Sequence, residues 1–306
     1  MKELSLEQYQ ALFPDSTEQA AAKPFLVGQE DYILPHRRHQ THKYSYGRAL
    51  IIAGSVGFSG APVLAANACE KSGAGLTTLM VPESIYSIAA SRCDGAVVTP
   101  LPATQSGSLA SHAVKAILPA LEKASACAIG PGLRTGDETA AVVAEVIKHA
   151  KCPLILDADA LTICGEQRGL LSACASSLVL TPHEGEFRRI GGSTSNGRLH
   201  GALAFAAAHP EAILVLKGYG TLICQSSKAI VNPTGSPAIA KGGSGDVLCG
   251  ILCALLAQGF DPFFAAGCAA YLHGRAGDLA SEKLGEYSVT PSDIIAALPD
   301  AFKELL

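Results

Sequence analysis

From Arg48 onward, short runs of consecutive apolar residues alternate along the chain with longer alanine-rich segments. The runs are apolar at every position and not only at every second one, which is typical of strands buried on both faces of a parallel sheet. The pattern predicts strands at Ala49–Ala53, Leu76–Val81, Ala96–Thr99, Cys127–Ile129, Leu154–Leu156, Leu178–Leu180 and Ile213–Leu216. Two further runs, Leu222–Cys224 and Ala229–Val231, are expected to pair with each other.

The segments between these runs carry a helical pattern. They predict helices at Ala61–Ser72, Ser84–Arg92, Ser111–Lys123, Glu138–His149, Leu199–His209, Asp246–Ala257, Pro262–Leu284 and Ser292–Leu305. Because strands and helices alternate, the chain is expected to be an α/β protein with a mostly parallel central sheet and helices on both sides.

Residues 1–40 lack this alternation, and we expect them to form an N-terminal helix and a linker arm, with residues 41–306 as a single domain. Ser5-Leu6-Glu7-Gln8 is a capping-box sequence that begins the helix, and Pro14 is expected to end it. The arm also carries a cluster of cations, interpreted as part of a linker that closes near the functional site. They are His36, Arg37, Arg38, His39, His42 and Lys43.

Composition narrows the class of protein. Of 306 residues, 48 % are hydrophobic and 16 % are charged, which excludes intrinsic disorder. The net charge of −4 argues against a general nucleic-acid or anionic-membrane binder. The N-terminus has no signal-peptide core, and the longest apolar stretch, Val247–Phe260, is too short to span a bilayer. The ten cysteines form no CxxC pair, so we expect small buried apolar residues in a reducing cytoplasm.

Glycine and polar residues follow the predicted strands at one end. In an open parallel sheet, ligands bind beyond the carboxyl ends of the strands. These segments are Gly54–Ala61, Gly130–Gly132, Asp157–Asp159, Thr181–Glu186 and Lys217–Thr221. Strands must end in turns in any case, but the clustering of Asp, His and Lys after several of them favours a functional site at this edge.

The most informative segment is Lys241–Gly250, in which Gly-Gly-Ser-Gly-Asp runs into an apolar helix. Successive glycines let backbone N–H groups converge, and a helix N-terminus adds positive potential, so the segment can bind a phosphate. Asp246 lies at the start of the helix, where a carboxylate can take a proton from a substrate hydroxyl. The alternative is that Asp246 only caps the helix. No P-loop or Rossmann motif is present.

Thr181-Pro182-His183-Glu184 also has a purely structural interpretation, with Thr181 as N-cap, Pro182 at the first helical position and Glu184 completing a capping box. That interpretation leaves His183 unexplained, and a substrate contact is an open alternative for it.

Two further features leave alternatives open. Asp157 and Asp159 either cap the following helix or hold Mg²⁺ through water. Lys217 either meets nucleotide phosphates or is solvated after its strand.

Taken together, these motifs resemble the ADP/ATP-dependent NAD(P)H-hydrate dehydratase family of the ribokinase-like superfamily. The resemblance covers residues 40–306 and rests on Lys43–Gly75, Gly130–Gly132, Asp157–Leu161, Thr181–Glu186, Lys217-Gly218, Asn232–Gly235 and Gly242–Gly250. It implies a three-layer α/β/α ribokinase-like catalytic domain. The chain departs from the family's usual residues at Tyr44, Glu184 and Ser236, outside the Gly-Gly-Ser-Gly-Asp segment.

The resemblance implies repair of hydrated NADH or NADPH. The C6 hydroxyl of the S epimer is phosphorylated at the expense of ADP, phosphate leaves, and NAD(P)H, AMP and phosphate result. In this scheme Asp246 is the base, and the amides of Gly243 and Gly245 belong to the anion hole. The residues expected to contact the hydrated dinucleotide are Ala61, Gly132, His183 and Asp246. Those expected to contact the adenine nucleotide are Lys217, Gly218, Tyr219, Gly220, Thr221 and Gly245.

Mg²⁺ is expected with the nucleotide phosphates, and no side chain is assigned as a metal ligand. The resemblance also implies a separate NAD(P)H-hydrate epimerase as functional partner and a homo-oligomer. The alternative enzyme is a small-alcohol kinase of the same superfamily, such as a hydroxyethylthiazole or hydroxymethylpyrimidine kinase. The alternative outside catalysis is an adenine-nucleotide sensor.

Overall fold

The computed structural model describes residues 1–14, 23–167 and 169–306. Within them, eleven strands form one sheet in the order β1-β2-β11-β10-β9-β8-β7-β6-β3-β4-β5. The strands are β1 (Lys2–Glu3), β2 (Phe25–Leu26), β3 (Arg48–Ile52), β4 (Leu76–Pro82), β5 (Val97–Leu101), β6 (Ala126–Ile129), β7 (Leu154–Leu156), β8 (Leu178–Leu180), β9 (Ala212–Leu216), β10 (Thr221–Gln225) and β11 (Lys228–Asn232). From β5 to β9 every neighbouring pair is parallel, whereas β10 runs antiparallel to both β9 and β11.

Helices cover both faces of this sheet. They are α1 (Leu6–Leu12), α2 (Gly60–Lys71), α3 (Tyr86–Ala90), α4 (Val114–Lys123), α5 (Asp137–His149), α6 (Asp159–Glu166), α7 (Glu184–Arg189), α8 (Arg198–Ala208), α9 (Ser244–Ala257), α10 (Pro262–Leu284) and α11 (Pro291–Lys303). Alternate residues of each strand enter different cores. Ile51 and Ile155 pack with α2, α9, α10 and α11, whereas Leu50 and Leu154 pack with α4 to α8. The predicted three-layer α/β/α arrangement is confirmed.

The predicted strands agree with the observed ones to within two residues, and two strands and one long helix match fully: Leu154–Leu156, Leu178–Leu180 and Pro262–Leu284. Each of two predicted helices begins as a 3₁₀ turn, at Glu83–Ile85 and at Ser111–Ala113. For α6 and α7 only a helix start was expected from capping residues and no bounds were predicted, because eight and six residues are too few to show a helical period.

The N-terminal arm is built into the sheet edge. The predicted capping box is confirmed, since Ser5 Oγ accepts from Gln8 N and Gln8 Oε1 accepts from Ser5 N, and α1 ends just before Pro14. The strand β2 pairs with β11, and β1 pairs with β2. These two-residue strands were not predicted, and residues 15–22 of the arm lie outside the described residues.

The interpretation of the cation cluster is wrong for Arg37. Its guanidinium donates to the carbonyl of Gly73 and to Gln258 Oε1, and it stacks on the Tyr46 ring at 3.9 Å. Gln258 follows the last turn of α9, about 18 Å along the helix from Asp246. Arg37 therefore lies at the end of α9 remote from the predicted site.

All ten cysteines are free, and nine of them are buried. Burial raises the pKa of the Cys224 thiol to about 12, so it stays protonated and packs as a small apolar group. Among the described residues, no helix combines the length and the apolar character needed to cross a bilayer.

Candidate active site

The loops after β3 and β6 are bonded to each other. Gly54 N donates to the carbonyl of Pro131 at 2.8 Å, and Ser55 Oγ donates to that of Gly132 at 2.7 Å. Gly132 has a φ of +63°, and a Cβ added to it would lie 3.2 Å from the Cβ of Ala61 in the first turn of α2. Ala61 and Gly132, predicted to contact one ligand, are thus adjacent to each other.

A buried ion pair joins the loops after β7 and β9. Lys217 Nζ lies 2.9 Å from Asp157 Oδ1 and 3.8 Å from Glu186 Oε2, and the Asp157 side chain is 2 % exposed. Burial lowers the pKa of Lys217, but the two carboxylates outweigh this effect and hold it above its usual value. Lys217 is therefore a charged, paired ammonium, and the interpretation of a solvated lysine is wrong.

Neither aspartate of the loop after β7 caps α6 with its side chain. Ala158, with a φ of +48°, occupies the N-cap position, and the Asp157 carboxylate is taken by Lys217. Asp159 Oδ2 accepts from the backbone N of Arg134 at 2.8 Å, which bonds this loop to the one after β6. The capping alternative is therefore wrong for both residues.

The helix α7 begins two residues later than predicted. His183 is its N-cap, because Nδ1 accepts from the backbone N–H groups of Gly185 and Glu186, and Glu186 completes the capping box. Thr181 donates its hydroxyl to the carbonyl of Leu156 instead. Since Nδ1 accepts two bonds, the ring proton of a neutral His183 sits on Nε2. The ring is 57 % exposed, and its Nε2 lies 3.5 Å from Glu186 Oε1.

The glycine-rich segment forms a tight turn into α9. Gly243 is the N-cap, with a φ of +94° that favours glycine, so Asp246 is the third helical residue. Its carboxylate makes no hydrogen bond or ion pair to any residue that the structure describes. The alternative in which Asp246 only caps the helix is therefore wrong.

Electrostatics couple Asp246 to the buried ion pair. Burial, and after it the Asp157 carboxylate, raise the pKa of the Asp246 carboxyl to about 7, although Lys217 lowers it. A Cβ added to Gly245 would lie 3.4 Å from Lys217 Nζ. The ammonium of Lys217 thus reaches the first turn of α9, next to the Gly245 amide.

Side chains that sequence reasoning missed fasten this turn to α10. Ser244 Oγ lies 2.9 Å from Nε2 of His273, a buried residue of α10. Asn232 Nδ2 donates to the carbonyl of Ala270, and Gly235 N donates to Asp278 Oδ2. Of these contacts with α10, the sequence indicated only the Asn232–Gly235 side, as part of a motif. The partner residues on α10 could not be found from the sequence, because they lie inside a long helix with no distinguishing motif.

Comparison with known proteins identifies the family. The family model described as NAD(P)H-hydrate dehydratase matches residues 49–300, which includes every loop described above. The chain belongs to the NAD(P)H-hydrate dehydratase family. The resemblance inferred from the sequence motifs is therefore confirmed, and it covers both the turn into α9 and the Lys217 loop.

Relatives of this dehydratase family fall into two groups. A bifunctional NAD(P)H-hydrate repair enzyme of Moorella thermoacetica is 39 % identical over 276 residues, which cover 89 % of this chain and 52 % of the relative. The chain spans about half the length of the curated relatives it matches. The crystal structure of an ADP/ATP-dependent NAD(P)H-hydrate dehydratase from Bacillus subtilis, co-crystallised with ATP/Mg²⁺, is 31 % identical with a TM-score of 0.79 and covers 94 % of this chain and 100 % of its own.

A further solved structure supports the fold assignment. A ribokinase-like superfamily protein of Enterococcus faecalis is 28 % identical with a TM-score of 0.80, over 92 % of this chain and 96 % of its own. Together with the layered sheet, this likeness confirms the ribokinase-like fold expected from the sequence.

Proposed function

We propose that the chain is an ADP-dependent (S)-NAD(P)H-hydrate dehydratase, a hydro-lyase that consumes ADP and releases AMP and phosphate. The observation that carries the proposal is the Asp246 carboxylate. It is unpartnered among the described residues, has a pKa of about 7, and lies in the first turn of a helix entered through a glycine turn. Family membership supplies the substrate class.

The proposed reaction begins with proton transfer to Asp246. A carboxylate with a pKa near neutrality is matched to taking a proton from a hydroxyl while a phosphoryl group is transferred to its oxygen. Phosphorylation turns the C6 hydroxyl into a good leaving group. Phosphate then departs, the adjoining ring carbon loses a proton, and the ring double bond reforms.

The glycine turn would hold the transferring phosphoryl group. The N–H groups of Gly243 and Gly245 lie at the N-terminus of α9, which carries a partial positive charge. The ammonium of Lys217, close to Gly245, adds a full charge at the same place. Fixed dipoles of this kind stabilise developing negative charge without having to reorganise.

The two ligands are proposed to lie on either side of Asp246. Ala61, Gly132 and the His183 ring would contact the hydrated dinucleotide, since Ala61 and Gly132 are adjacent and His183 is exposed at the same sheet edge. The adenine nucleotide would lie against Gly245, against the turn between β9 and β10 and against the first residue of β10. The turn residues are Lys217, Gly218, Tyr219 and Gly220, and the β10 residue is Thr221.

Mg²⁺ is part of the proposal because the Bacillus relative was crystallised with ATP/Mg²⁺. The described residues contain no cluster of three metal-binding side chains. A cation held mainly by phosphates and water, with Asp159 as a water-mediated contact, fits this arrangement. Bound in this way, it would neutralise phosphate charge.

The bifunctional relatives suggest that epimerisation and dehydration of the same metabolite are linked. We therefore propose an NAD(P)H-hydrate epimerase as functional partner. We also propose that the chain works as a homo-oligomer. Free cysteines suit the reducing cytoplasm as the site of action.

A spectral assay tests the proposed function. Hydrated NADH lacks the near-ultraviolet absorbance of NADH, so the enzyme with Mg²⁺ and ADP is expected to restore that absorbance, and ATP serves as the comparison nucleotide. A parallel reaction with hydroxyethylthiazole tests the small-alcohol kinase. Phosphorylation of the thiazole alcohol without recovery of NADH absorbance would contradict the dehydratase assignment.

A further inference from the structure

The turn between β9 and β10 is held by an arginine from a different element. Arg198, the first residue of α8, donates from Nη1 to the carbonyl of Tyr219 at 2.6 Å. Its Nη2 lies 3.3 Å from the carbonyl oxygens of Leu216 and Lys217. A planar guanidinium with donors in a fixed fork is suited to gathering several carbonyl groups at once.

These contacts fix where the backbone N–H groups of the turn point. In a trans peptide the C=O and N–H bonds point in opposite directions, and no peptide in the described chain is cis. When Arg198 binds the carbonyls of Lys217 and Tyr219, the N–H groups of Gly218 and Gly220 must therefore face away from it. Backbone N–H groups of a turn that converge on one point can bind an anion.

The glycines of the turn are required by what surrounds them. Gly218 has a φ of +153°, and a Cβ there would lie 2.6 Å from Arg198 Nη2. Gly220 has a φ of +64°, and a Cβ there would lie 2.4 Å from the ring of Phe13 in the N-terminal arm. Arg198 and Phe13 thus pack against the turn, in which Gly218 and Tyr219 remain exposed and Gly220 is buried.

Arg198 also forms an ion pair with the helix that His183 caps. Glu184 Oε1, at the start of α7, lies 3.1 Å from Arg198 Nε. The other oxygen of Glu184 lies 3.9 Å from Arg188 Nη1, but the Arg188 side chain is 61 % exposed and, among the described residues, makes no hydrogen bond or ion pair with the turn. Arg188 therefore shares the carboxylate with Arg198 without sharing its carbonyl contacts.

We propose that Arg198 is a positioning residue for the adenine nucleotide. It holds the turn in the one conformation in which the amides of Gly218 and Gly220 bind the phosphates of a nucleoside diphosphate. This inference rests on the proposed function, which places the nucleotide at this turn. Arg198 would not touch the hydrated dinucleotide, so its effect is expected on nucleotide binding alone.

Titration calorimetry with ADP and Mg²⁺ on the full chain tests the proposal. We expect Arg198→Met to raise the Kd for ADP by about tenfold or more, as loss of several hydrogen bonds to a charged donor implies. Arg198→Lys is expected to show a similar loss, because an ammonium cannot span three carbonyls. Arg188→Met, which also removes a partner of Glu184, is the matched control and is expected to bind ADP like the wild type.

Steady-state kinetics separate positioning from a general structural role. In Arg198→Lys we expect a raised KM for ADP, with kcat at saturating ADP and the KM for hydrated NADH close to wild type. An unchanged Kd for ADP in a variant with native circular dichroism would overturn the proposal. A fall in kcat accompanied by similar rises in the KM for ADP and in the KM for hydrated NADH would also overturn it. If Arg198→Met does not fold, Arg198→Lys decides the question. Failure of the wild type to bind any adenine nucleotide would instead refute the proposed function and this inference together.

Discussion

A general base must be unprotonated when its substrate arrives, so the pKa of Asp246 sets the pH at which the proposed reaction runs. Burial is the main reason that this pKa stands near 7 and not near its usual value of 3.8. The base form is populated above the pKa. We therefore expect kcat to be lost as the pH falls below about 7 and to level off above it, measured with saturating ADP and hydrated NADH.

Removal of the base tests the role of Asp246 directly. Asp246→Asn keeps the shape of the side chain and removes its capacity to accept a proton. We expect kcat to fall by about 100- to 10,000-fold, whereas the Kd for ADP stays unchanged or falls because a negative charge has gone. Nucleotide binding by calorimetry is the control for folding. Turnover equal to that of the wild type would refute the base assignment and favour the nucleotide sensor.

The carboxylates near Asp246 allow a test based on the direction in which the midpoint of the pH profile moves. Asp157 raises the pKa of Asp246, and Asp159 does so more weakly. In Asp157→Asn the midpoint of the kcat profile is therefore expected to move to lower pH, and in Asp159→Asn to move in the same direction by less. Glu138→Gln, an exposed change on α5, serves as the unshifted control. A midpoint that stays fixed in Asp157→Asn would show that Asp246 does not govern the profile.

At the scale of elements, α10 supports the site without supplying a reacting group. His273 is buried, and burial lowers its pKa to about 4, so it is neutral when bonded to Ser244. The usual pKa of histidine is 6.5. Between pH 4 and pH 6.5, His273 is therefore protonated in the unfolded chain and neutral in the folded chain. Stability attributable to His273 is complete above about pH 6.5 and is lost as the pH falls toward 4.

Urea unfolding at several pH values measures this contribution. A pKa difference of this size corresponds to about 3 kcal/mol between pH 7 and pH 4. His273→Gln retains an amide that can bond Ser244 but does not titrate, so its unfolding free energy is expected to fall less steeply with acid than that of the wild type. Identical slopes for the two proteins would place the acid sensitivity elsewhere.

The short elements at the site show where sequence patterns stop being informative. Thr181-Pro182-His183-Glu184 fits a capping box that begins at Thr181, but the chain uses the box two residues further on, in which His183 and Glu186 take those roles. Both boxes satisfy the local rule. The choice depends on tertiary contacts, since Thr181 bonds the carbonyl of Leu156 and Pro182 accepts from Lys217 N. The Lys217–Asp157 pair depends equally on the neighbouring order of β7, β8 and β9.

At the scale of the whole molecule, the layers could be predicted and the sheet edge could not. Uninterrupted apolar runs such as Leu154–Leu156 identify strands buried on both faces, because few other positions tolerate them. The edge is completed by Lys2–Glu3 and Phe25–Leu26, whose pairing depends on β11, a strand distant in sequence. Two residues carry too little pattern to predict such a pairing.

The arm and the main body are expected to unfold as one unit. Leu4, 2 % exposed, belongs to the same apolar cluster as Leu222 and Val231 in the sheet, and its N–H bonds the carbonyl of Pro24. Leu4→Ala should therefore lower the unfolding free energy of the whole chain by about 2–5 kcal/mol. Leu12→Ala, at an exposed side chain in the same arm, is the control. Circular dichroism and tyrosine fluorescence are expected to report one coincident transition in Leu4→Ala. An early, separate fluorescence transition with the main transition unmoved would show instead that the arm folds independently of the sheet it completes.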